Sequence, residues 1–201
     1  MRLGIYGGSF DPVHYGHLLL AESAREQCRL DQVWFLPAAV PPHKQQRDLV
    51  PAHRRVEMLQ LAILGHASFL ISTREIDRGG VSFTVDTLAA IQADHPGDEL
   101  FLLLGADALN DLPGWREPAR ICSLATPAAV HRPDSAPLDY AALGGIVGPQ
   151  RLAEIRAAQV EMPLIGYSST DIRRRAAEGR SIRYRTPRAV EKYIEVHGLY
   201  R

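Results

Sequence analysis

The chain has no excess of charge of either sign and no long apolar run. Lys and Arg total 23, as do Asp and Glu, so no overall basic field attracts nucleic acid or an anionic membrane. No stretch reaches the ~20 apolar residues that cross a bilayer, and the N-terminal MRLGIYGG lacks the apolar segment of a signal peptide. We therefore expect a cytoplasmic protein with neither nucleic acid nor a membrane as its partner.

Cysteine is scarce, which excludes a disulfide-stapled scaffold. Cys28 falls on the apolar stripe of a predicted helix and Cys122 precedes an apolar run, so both are expected as buried, reduced thiols. The 201 residues suffice for one domain with a sizeable core, 1–201, and are too few for two ordinary domains. The oligomeric state stays open, and a homo-oligomer is compatible with these features.

What the sequence does have is a regular alternation of short apolar runs and segments of helical period. The expected strands are Leu3–Tyr6, Val33–Leu36, Phe69–Ile71, Leu100–Leu104, Leu124–Val130 and Val160–Ile165. The expected helices are Gly16–Cys28, Pro51–Leu64, Thr84–Ala93, Asp107–Leu112, Thr170–Glu178 and Pro187–His197. This alternation predicts an α/β fold with a mostly parallel sheet and helices on both faces. Ligands of such sheets bind beyond the carboxyl ends of the strands. Two stretches with prolines, Pro37–Pro51 and Arg132–Pro149, are expected as loops, the second one exposed.

The most informative segment, GGSFDPVHYGH, spans 7–17 and follows the first strand directly. Gly7 and Gly8 allow backbone angles and close approaches that a side chain forbids. A glycine-rich turn between strand and helix aims backbone N–H groups and the positive helix end at one point, which suits a phosphate group. The spacing matches neither a G-x-G-x-x-G turn nor a Walker A loop.

Two histidines lie at the start of the helix that follows. His14 and His17 are three residues apart and share a face, and Gly16 between them leaves room for a bulky ligand. Imidazoles beside a helix N-terminus can donate to phosphate oxygens and take up charge that grows in a transition state. Two plainer readings stay open. One is a zinc site, for which only Asp11 is near in sequence, and the other is a pair of helix-capping or core histidines.

On this motif the chain resembles the HxGH adenylyl- and cytidylyltransferases. The resemblance implies a Rossmann-like α/β fold of the nucleotidyltransferase type. Two later segments add candidate ligand contacts. In PPHK, prolines can stiffen a loop that holds Lys44 over a phosphate, although a lone lysine is more often solvated surface. In SFTVDTL, Thr84 can cap a helix and can also contact a ligand.

The segment LLLGADALNDLPGW ends a predicted buried strand at Gly105. Asp107 follows at the carboxyl end of that strand, where a carboxylate can accept hydrogen bonds from ribose hydroxyls or amines. Trp115 lies shortly after it, and its ring can either stack on a planar heterocycle or pack in the core.

The segment YSSTDIRRR combines helix-capping hydroxyls with cations at the wrong helix end. The hydroxyls belong to Ser168, Ser169 and Thr170. Three arginines follow in the first turns, where the helix macrodipole disfavours cations. Such a conflict suggests a bound anion, and Arg173 is the expected phosphate contact. Ion pairs with Asp171 and Glu178 are the alternative for one or two of the three arginines.

The order of these segments and the closing YIEVHGLY make the chain similar to the bacterial nicotinate-nucleotide adenylyltransferases, from Leu3 to Tyr200. The resemblance implies that the adenylyl group of ATP is transferred to nicotinate mononucleotide, with release of pyrophosphate and with Mg²⁺ carried by ATP. It implies catalytic roles for His14, His17 and Arg173. It implies ATP contacts by Gly8, Ser9, Phe10, Gly16, Gly105, Asp107, Ser168, Ser169 and Thr170, and mononucleotide contacts by Lys44, Thr84, Trp115 and Arg132. The chain departs from the family pattern at Asp134, Tyr167 and Arg185.

The expected chemistry needs no nucleophile from the enzyme. A phosphate monoester is already an anion near neutral pH, and the sequence has no G-x-S-x-G elbow. We therefore expect direct in-line attack on the α-phosphorus, with the protein supplying alignment and charge. Two rivals remain. One is an enzyme of the same superfamily whose acceptor is a nicotinamide, pantetheine, flavin or glycerol phosphate, and the other is a nucleotide sensor without catalysis. No side chain decides between nicotinate and nicotinamide.

Overall fold

The computed structural model of the chain describes residues 1–41, 49–131 and 137–201. Its strands are β1 (Arg2–Gly8), β2 (Gln32–Pro37), β3 (Phe69–Ile71), β4 (Glu99–Gly105), β5 (Ala125–His131) and β6 (Val160–Glu161). They form one sheet in the order β3-β2-β1-β4-β5-β6, and all neighbours run parallel. The strand order reverses between β1 and β4, which is where doubly wound sheets open a crevice for ligands.

Helices connect the strands and cover the sheet. They are α1 (Tyr15–Gln27), α2 (Ala52–Ile63), α3 (Arg74–Arg78), α4 (Thr84–Asp94), α5 (Ala106–Asp111), α6 (Pro118–Leu124), α7 (Ala141–Gly144), α8 (Pro149–Ala157), α9 (Ser169–Ala177) and α10 (Arg188–Val196). A short 3-10 turn, Leu112–Gly114, follows α5. No helix among the described residues is long and apolar enough to cross a membrane.

The sheet separates two apolar layers because the side chains of a strand alternate between its faces. In β4, Phe101 and Leu103 belong to the layer that includes residues of α1, α2 and α10. Leu100, Leu102 and Leu104 belong to the opposite layer, with residues of α4 and α6. The predicted parallel sheet with helices on both faces is confirmed.

Four helices escape the sequence prediction, namely α3, α6, α7 and α8. The expected exposed loop 132–149 is wrong in its later part, because α7 lies there and its Leu143 is fully buried. Pro149 begins α8 and does not end a loop, since proline is tolerated at the first helical position, where its missing N–H has no helical partner. The last strand is shorter than expected, since β6 stops at Glu161, and among the described residues this edge strand pairs with β5 alone.

Both cysteines are free thiols inside the protein. Cys28 and Cys122 are buried, and burial raises the pKa of both thiols. The prediction of two buried, reduced cysteines is confirmed.

Candidate active site

The turn after β1 has its unusual backbone angle at Phe10. Phe10 has a positive φ of 47°, whereas Gly7 and Gly8 do not, so the expectation that these glycines supply unusual angles is wrong. Gly8 provides space instead, since a Cβ there would lie 3.0 Å from the Phe10 ring. That ring is 1% exposed and belongs to the core. Any nucleotide contact of Phe10 is therefore confined to its backbone.

The carbonyl oxygens of this turn are held by donors from distant parts of the chain. The pairs are Ala38 N–H to Gly8 O (2.9 Å), Arg55 Nη1 to Ser9 O (2.8 Å), Arg173 Nη1 to Asp11 O (2.6 Å), Ser169 Oγ to Pro12 O (2.9 Å) and Thr186 Oγ1 to Val13 O (2.7 Å). These bonds fix the turn before any ligand binds. A turn held in one conformation in this way keeps the groups around it preorganised for a ligand.

His14 and His17 stack on each other at the start of α1. Their ring centroids are 3.7 Å apart and their planes differ by 25°. His14 is the N-cap residue and is 6% exposed, whereas His17 is half-buried. Gly16 makes room for the His14 ring, because a Cβ at residue 16 would lie 3.0 Å from its Cε1 and Nδ1. The shared face predicted for the two histidines is confirmed, and the seating of His14 by Gly16 was not predicted.

The hydrogen bond between the two histidines defines the donor atom of His17. The backbone N–H of His14 donates to Nδ1 of His17 at 3.2 Å. A neutral imidazole has one acceptor and one donor nitrogen, so a neutral His17 has its hydrogen on Nε2.

The start of α9 is fastened to the same turn. Ser168 is the N-cap of α9, and its hydroxyl accepts a hydrogen bond from the Asp171 N–H at 3.1 Å. Ser169 and Arg173 donate to carbonyls of the turn, as described above. Arg173 also donates to the Thr170 hydroxyl at 3.2 Å. The two helix N-termini and Arg173 are thus brought together, as the site hypothesis requires.

The ion-pair alternative holds for Arg174, which pairs with Asp171, but the described residues give Arg173 no carboxylate partner. The nearby acids are paired with other arginines. These pairs are Asp171 with Arg174 (2.5 Å) and Arg185 (3.0 Å), and Glu178 with Arg180 (3.1 Å). The positive charge of Arg173 is therefore not neutralised by an ion pair within the described structure.

Arg185 and Tyr167, two residues at which the chain departs from the family pattern, contact each other. The guanidinium carbon of Arg185 is 5.8 Å from the centroid of the Tyr167 ring. Its Nη1 donates to Asp171, and Arg174 together with Arg185 holds the pKa of the Asp171 carboxyl below its usual value. The carbonyl of Arg185 accepts from the Tyr15 N–H at 3.2 Å, at the first residue of α1. This cluster joins the starts of α1 and α9.

A cavity of about 450 Å³ opens at the carboxyl ends of β1 and β4. Its wall includes Gly8 and Ser9 of the turn, together with Thr84, Gly105 and Trp115. Among the described residues, neither histidine belongs to this wall; they follow Ser9 along the same turn. The cavity has the size of a small-molecule site, and it ends at the turn that the two histidines share.

Trp115 fits both readings of its sequence position, since it packs against the apolar core and lines the cavity. Its indole Nε1 is buried and has no acceptor among the described residues. An unsatisfied buried donor costs about 1–3 kcal/mol, so this indole nitrogen is an unusual feature of the residue. Thr84 does not cap α4, whose N-cap is Phe83. It lines the cavity instead.

Of the other predicted ligand contacts, only some lie at the cavity. Gly105 is the N-cap of α5, and a Cβ there would meet no atom within 4 Å, so its position is open to the cavity. Asp107 is exposed in the first turn of α5 and is not part of the cavity wall. Lys44, Arg132 and Asp134 lie outside the described residues.

Metal ligands are sparse in the part of the chain that the structure describes. It contains no group of three or more His, Cys, Asp or Glu side chains that could hold a metal ion. Zinc needs three or four protein ligands. The stacked His14 and His17 therefore do not form a zinc site with other described residues.

The sequence analysis did not predict a buried cluster of three residues at the turn. Arg55 is 1% exposed and Asp11 is also 1% exposed. The hydroxyl of Tyr200 donates to the Asp11 carboxylate at 2.6 Å. A signal for Arg55 existed, because it lies on the same stripe of α2 as the buried Met58 and Leu59, and a charge on an apolar stripe breaks the amphipathic pattern.

Comparison with known proteins agrees with this geometry. A family model described as cytidylyltransferase-like matches residues 5–175. A protein named probable nicotinate-nucleotide adenylyltransferase from Thermomicrobium roseum is 46% identical over 200 residues, covering 100% of this chain and 92% of the relative. One with the same name from Thermus thermophilus is 48% identical over 201 residues, covering 100% of both chains.

The fold also matches a solved structure. It is described as Plasmodium falciparum nicotinic acid mononucleotide adenylyltransferase complexed with NaAD, with a TM-score of 0.76 at 17% identity over 99% of this chain and 97% of the other. An identity this low speaks for the fold alone, whereas the relatives above are similar over their full length in sequence. The chain therefore belongs to the cytidylyltransferase-like family and, within it, to the nicotinate-nucleotide adenylyltransferases.

Proposed function

We propose that the protein transfers the adenylyl group of MgATP to nicotinate mononucleotide by direct in-line attack, without a covalent enzyme intermediate. The observation that carries this proposal is the junction of two helix N-termini at one turn. Arg173 and Ser169 of α9 donate to Asp11 and Pro12, directly before the stacked histidines of α1. Helix N-termini and cations together favour the binding of a polyphosphate.

The acceptor supplies its own nucleophile. The 5′-phosphate of a mononucleotide has a second pKa of about 6, so it is largely a dianion at neutral pH. One of its oxygens attacks the α-phosphorus of ATP, the bond from that phosphorus to the bridging oxygen breaks, and pyrophosphate leaves with the electron pair. No proton has to be removed from the acceptor. Catalysis then consists of alignment and charge stabilisation.

Each part of the site has a place in this reaction. The cavity that contains Thr84 and Trp115 takes the mononucleotide, with the pyridine ring beside the indole. The turn at Gly8 and Ser9 receives the phosphates where the cavity ends. Nε2 of His17 donates to the phosphate oxygens whose charge grows in the transition state, and the His14 imidazole and the Arg173 guanidinium complete the surroundings of these phosphates.

Mg²⁺ enters as part of the substrate. Phosphate oxygens and water are the ligands that Mg²⁺ prefers, and MgATP brings them along. Gly105 and Asp107 are proposed to contact the adenosine, and Ser168 and Thr170 lie beside the phosphates at the start of α9. Lys44 and Arg132 are proposed for the mononucleotide.

The test is a pyrophosphate-release assay with MgATP and one acceptor at a time. The acceptors are nicotinate mononucleotide, nicotinamide mononucleotide, phosphopantetheine, flavin mononucleotide and glycerol 3-phosphate. We expect fast release with nicotinate mononucleotide and formation of the dinucleotide in equal amount. Preference for another acceptor would contradict the substrate assignment, and tight ATP binding with no pyrophosphate from any acceptor would favour a sensor.

A further inference from the structure

Arg55 is an unusual residue in that its whole side chain is buried next to the proposed active site. It is 1% exposed and lies on the inner stripe of α2 beside Met58 and Leu59, which are both fully buried. A guanidinium is rarely buried without a specific task, because removing a charge from water is costly. In accordance with this, burial lowers the pKa of Arg55, and the nearby Asp11 carboxylate opposes that shift.

The guanidinium of Arg55 joins three separate segments of backbone. Its Nη1 donates to the Ser9 carbonyl at 2.8 Å, its Nη2 to the Ala38 carbonyl at 2.8 Å, and its Nε to the Val50 carbonyl at 3.0 Å. Ser9 belongs to the turn after β1. Ala38 and Val50 lie near the two ends of the Pro-rich stretch 37–51. Only the planar fork of an arginine offers donors in all three directions at once.

These contacts form a junction between the cavity and the turn after β1, which is called the phosphate turn below. Gly8, Ser9 and Ala38 all line the cavity wall, and the Ala38 N–H donates to the Gly8 carbonyl at 2.9 Å. The junction is thus fixed twice, once by backbone and once by Arg55. A shift of this wall would change where an acceptor phosphate lies relative to the turn that binds ATP.

We propose that Arg55 is a positioning residue, which sets the distance between the acceptor and the α-phosphorus by tying Ser9 to Ala38 and Val50. This inference rests on the proposed function, since it concerns how that site aligns its two substrates. Arg55 does not touch either substrate. Replacing Arg55 should therefore change KM for the acceptor and kcat, and should hardly change ATP binding.

The experiment compares Arg55→Met and Arg55→Lys with Arg54→Met as the matched control. Arg54 is the preceding residue of α2, but it donates to the Tyr193 hydroxyl at 2.8 Å, away from the turn. For Arg55→Met we expect kcat to fall by about 10²-fold, the loss that a misplacement of about 1 Å can cause. We also expect KM for nicotinate mononucleotide to rise at least tenfold and KM for ATP to change less than threefold. Arg54→Met should keep all three values.

A purely structural role would give a different pattern. It would lower the melting temperature and the active fraction, so that kcat drops while both KM values stay at the wild-type level; this result would overturn the proposal. If Arg55→Met does not fold, Arg55→Lys decides. Lysine keeps the charge but cannot reach three carbonyls, so the same split between the two KM values is expected. The proposed function is judged separately, because it fails only if the wild-type protein itself releases no pyrophosphate with this acceptor.

Discussion

His17 is the more accessible of the two stacked imidazoles, and its Nε2 is the donor nitrogen of the neutral ring. Because this donor is proposed to act on charge that appears mainly in the transition state, His17→Ala should lower kcat by roughly 10²–10³-fold. Both KM values should change only a few-fold, since ground-state binding uses many other groups. Steady-state kinetics with each substrate varied will measure this, with the exposed His53→Ala as control. Near-full turnover of His17→Ala would refute the assigned role.

Trp115 has an indole N–H without an acceptor among the described residues and a place in the cavity wall. Trp115→Ala removes both the ring face and the donor. It should raise the Kd for nicotinate mononucleotide at least about tenfold, since a stacked ring pair contributes about 0.5–1.5 kcal/mol beyond the area it buries. The Kd for ATP should stay nearly constant. Calorimetric titration measures both, and Trp34→Phe, whose indole bonds to Gln32, is the control. Equal losses for both ligands would point to a core role alone.

For single residues, the sequence predicts which ones belong to the candidate site better than it predicts the contacts that they make. The pairing of His14 with His17 follows from a three-residue spacing, because His14 is the N-cap of α1 and its N–H donates to the ring of His17 at the third helical position, as in a capping box. The burial of Arg55 and the bond from Tyr200 to Asp11 depend on segments 46 and 189 residues apart in the chain. No local pattern contains such contacts.

The first turn of α1 offers a test in which helix propensity and side-chain packing oppose each other. An exposed Gly→Ala change within a helix ordinarily stabilises a protein by up to about 1 kcal/mol. At Gly16 the new Cβ would lie 3.0 Å from two atoms of the His14 ring, so the ring has to shift by a few tenths of an ångström from its place in the stack. Gly16→Ala should therefore lower kcat at least tenfold without the usual gain in unfolding free energy. Urea unfolding and kinetics measure the two effects, and a more stable variant with full activity would contradict this account.

Elements with strong periodicity or clear punctuation are predicted well. The strands β1 to β5 and the helices α1, α2, α4, α9 and α10 lie close to their expected positions. The helices α3 and α7 have five and four residues, too few for a helical period to emerge. Tertiary contacts support them instead, since Glu75 of α3 accepts a hydrogen bond from the Thr87 hydroxyl at 2.8 Å and Leu143 of α7 is fully buried.

At the level of the whole molecule, the candidate active site is assembled from segments that lie far apart in the chain. The turn after β1 receives hydrogen bonds from residues 38, 55, 169, 173 and 186. The strand order makes this assembly possible. The alternation of strands and helices in the sequence is compatible with several strand orders, of which this is one. A crevice between β1 and β4 could be expected from the fold class, whereas the residues that line it could not.

The hydrogen bond of Tyr200 links the turn after β1 to the stability of the protein. Its hydroxyl is the donor to the buried Asp11 carboxylate, so Tyr200→Phe should lower the unfolding free energy at pH 8 by about 1–3 kcal/mol. Burial and the Asp11 charge raise the pKa of Tyr200 well above its usual value of 10.0. The stabilisation from a raised pKa is complete below the unfolded-state pKa and is lost as pH rises above it. Beyond about pH 10 the wild-type protein should therefore lose up to ~1.4 kcal/mol per pH unit that Tyr200→Phe does not lose.

The difference in unfolding free energy between wild type and Tyr200→Phe isolates this group, because all other tyrosines titrate in both proteins. Urea unfolding at pH 8, 9, 10 and about 11 should show a constant difference up to about pH 10 and a shrinking one above it. Tyr184→Phe is the control, since Tyr184 is 77% exposed, and its difference from wild type should stay near zero throughout. A difference for Tyr200→Phe that does not change with pH would mean that the hydroxyl is not held against Asp11, and that the C-terminal segment does not support the phosphate turn in the way described.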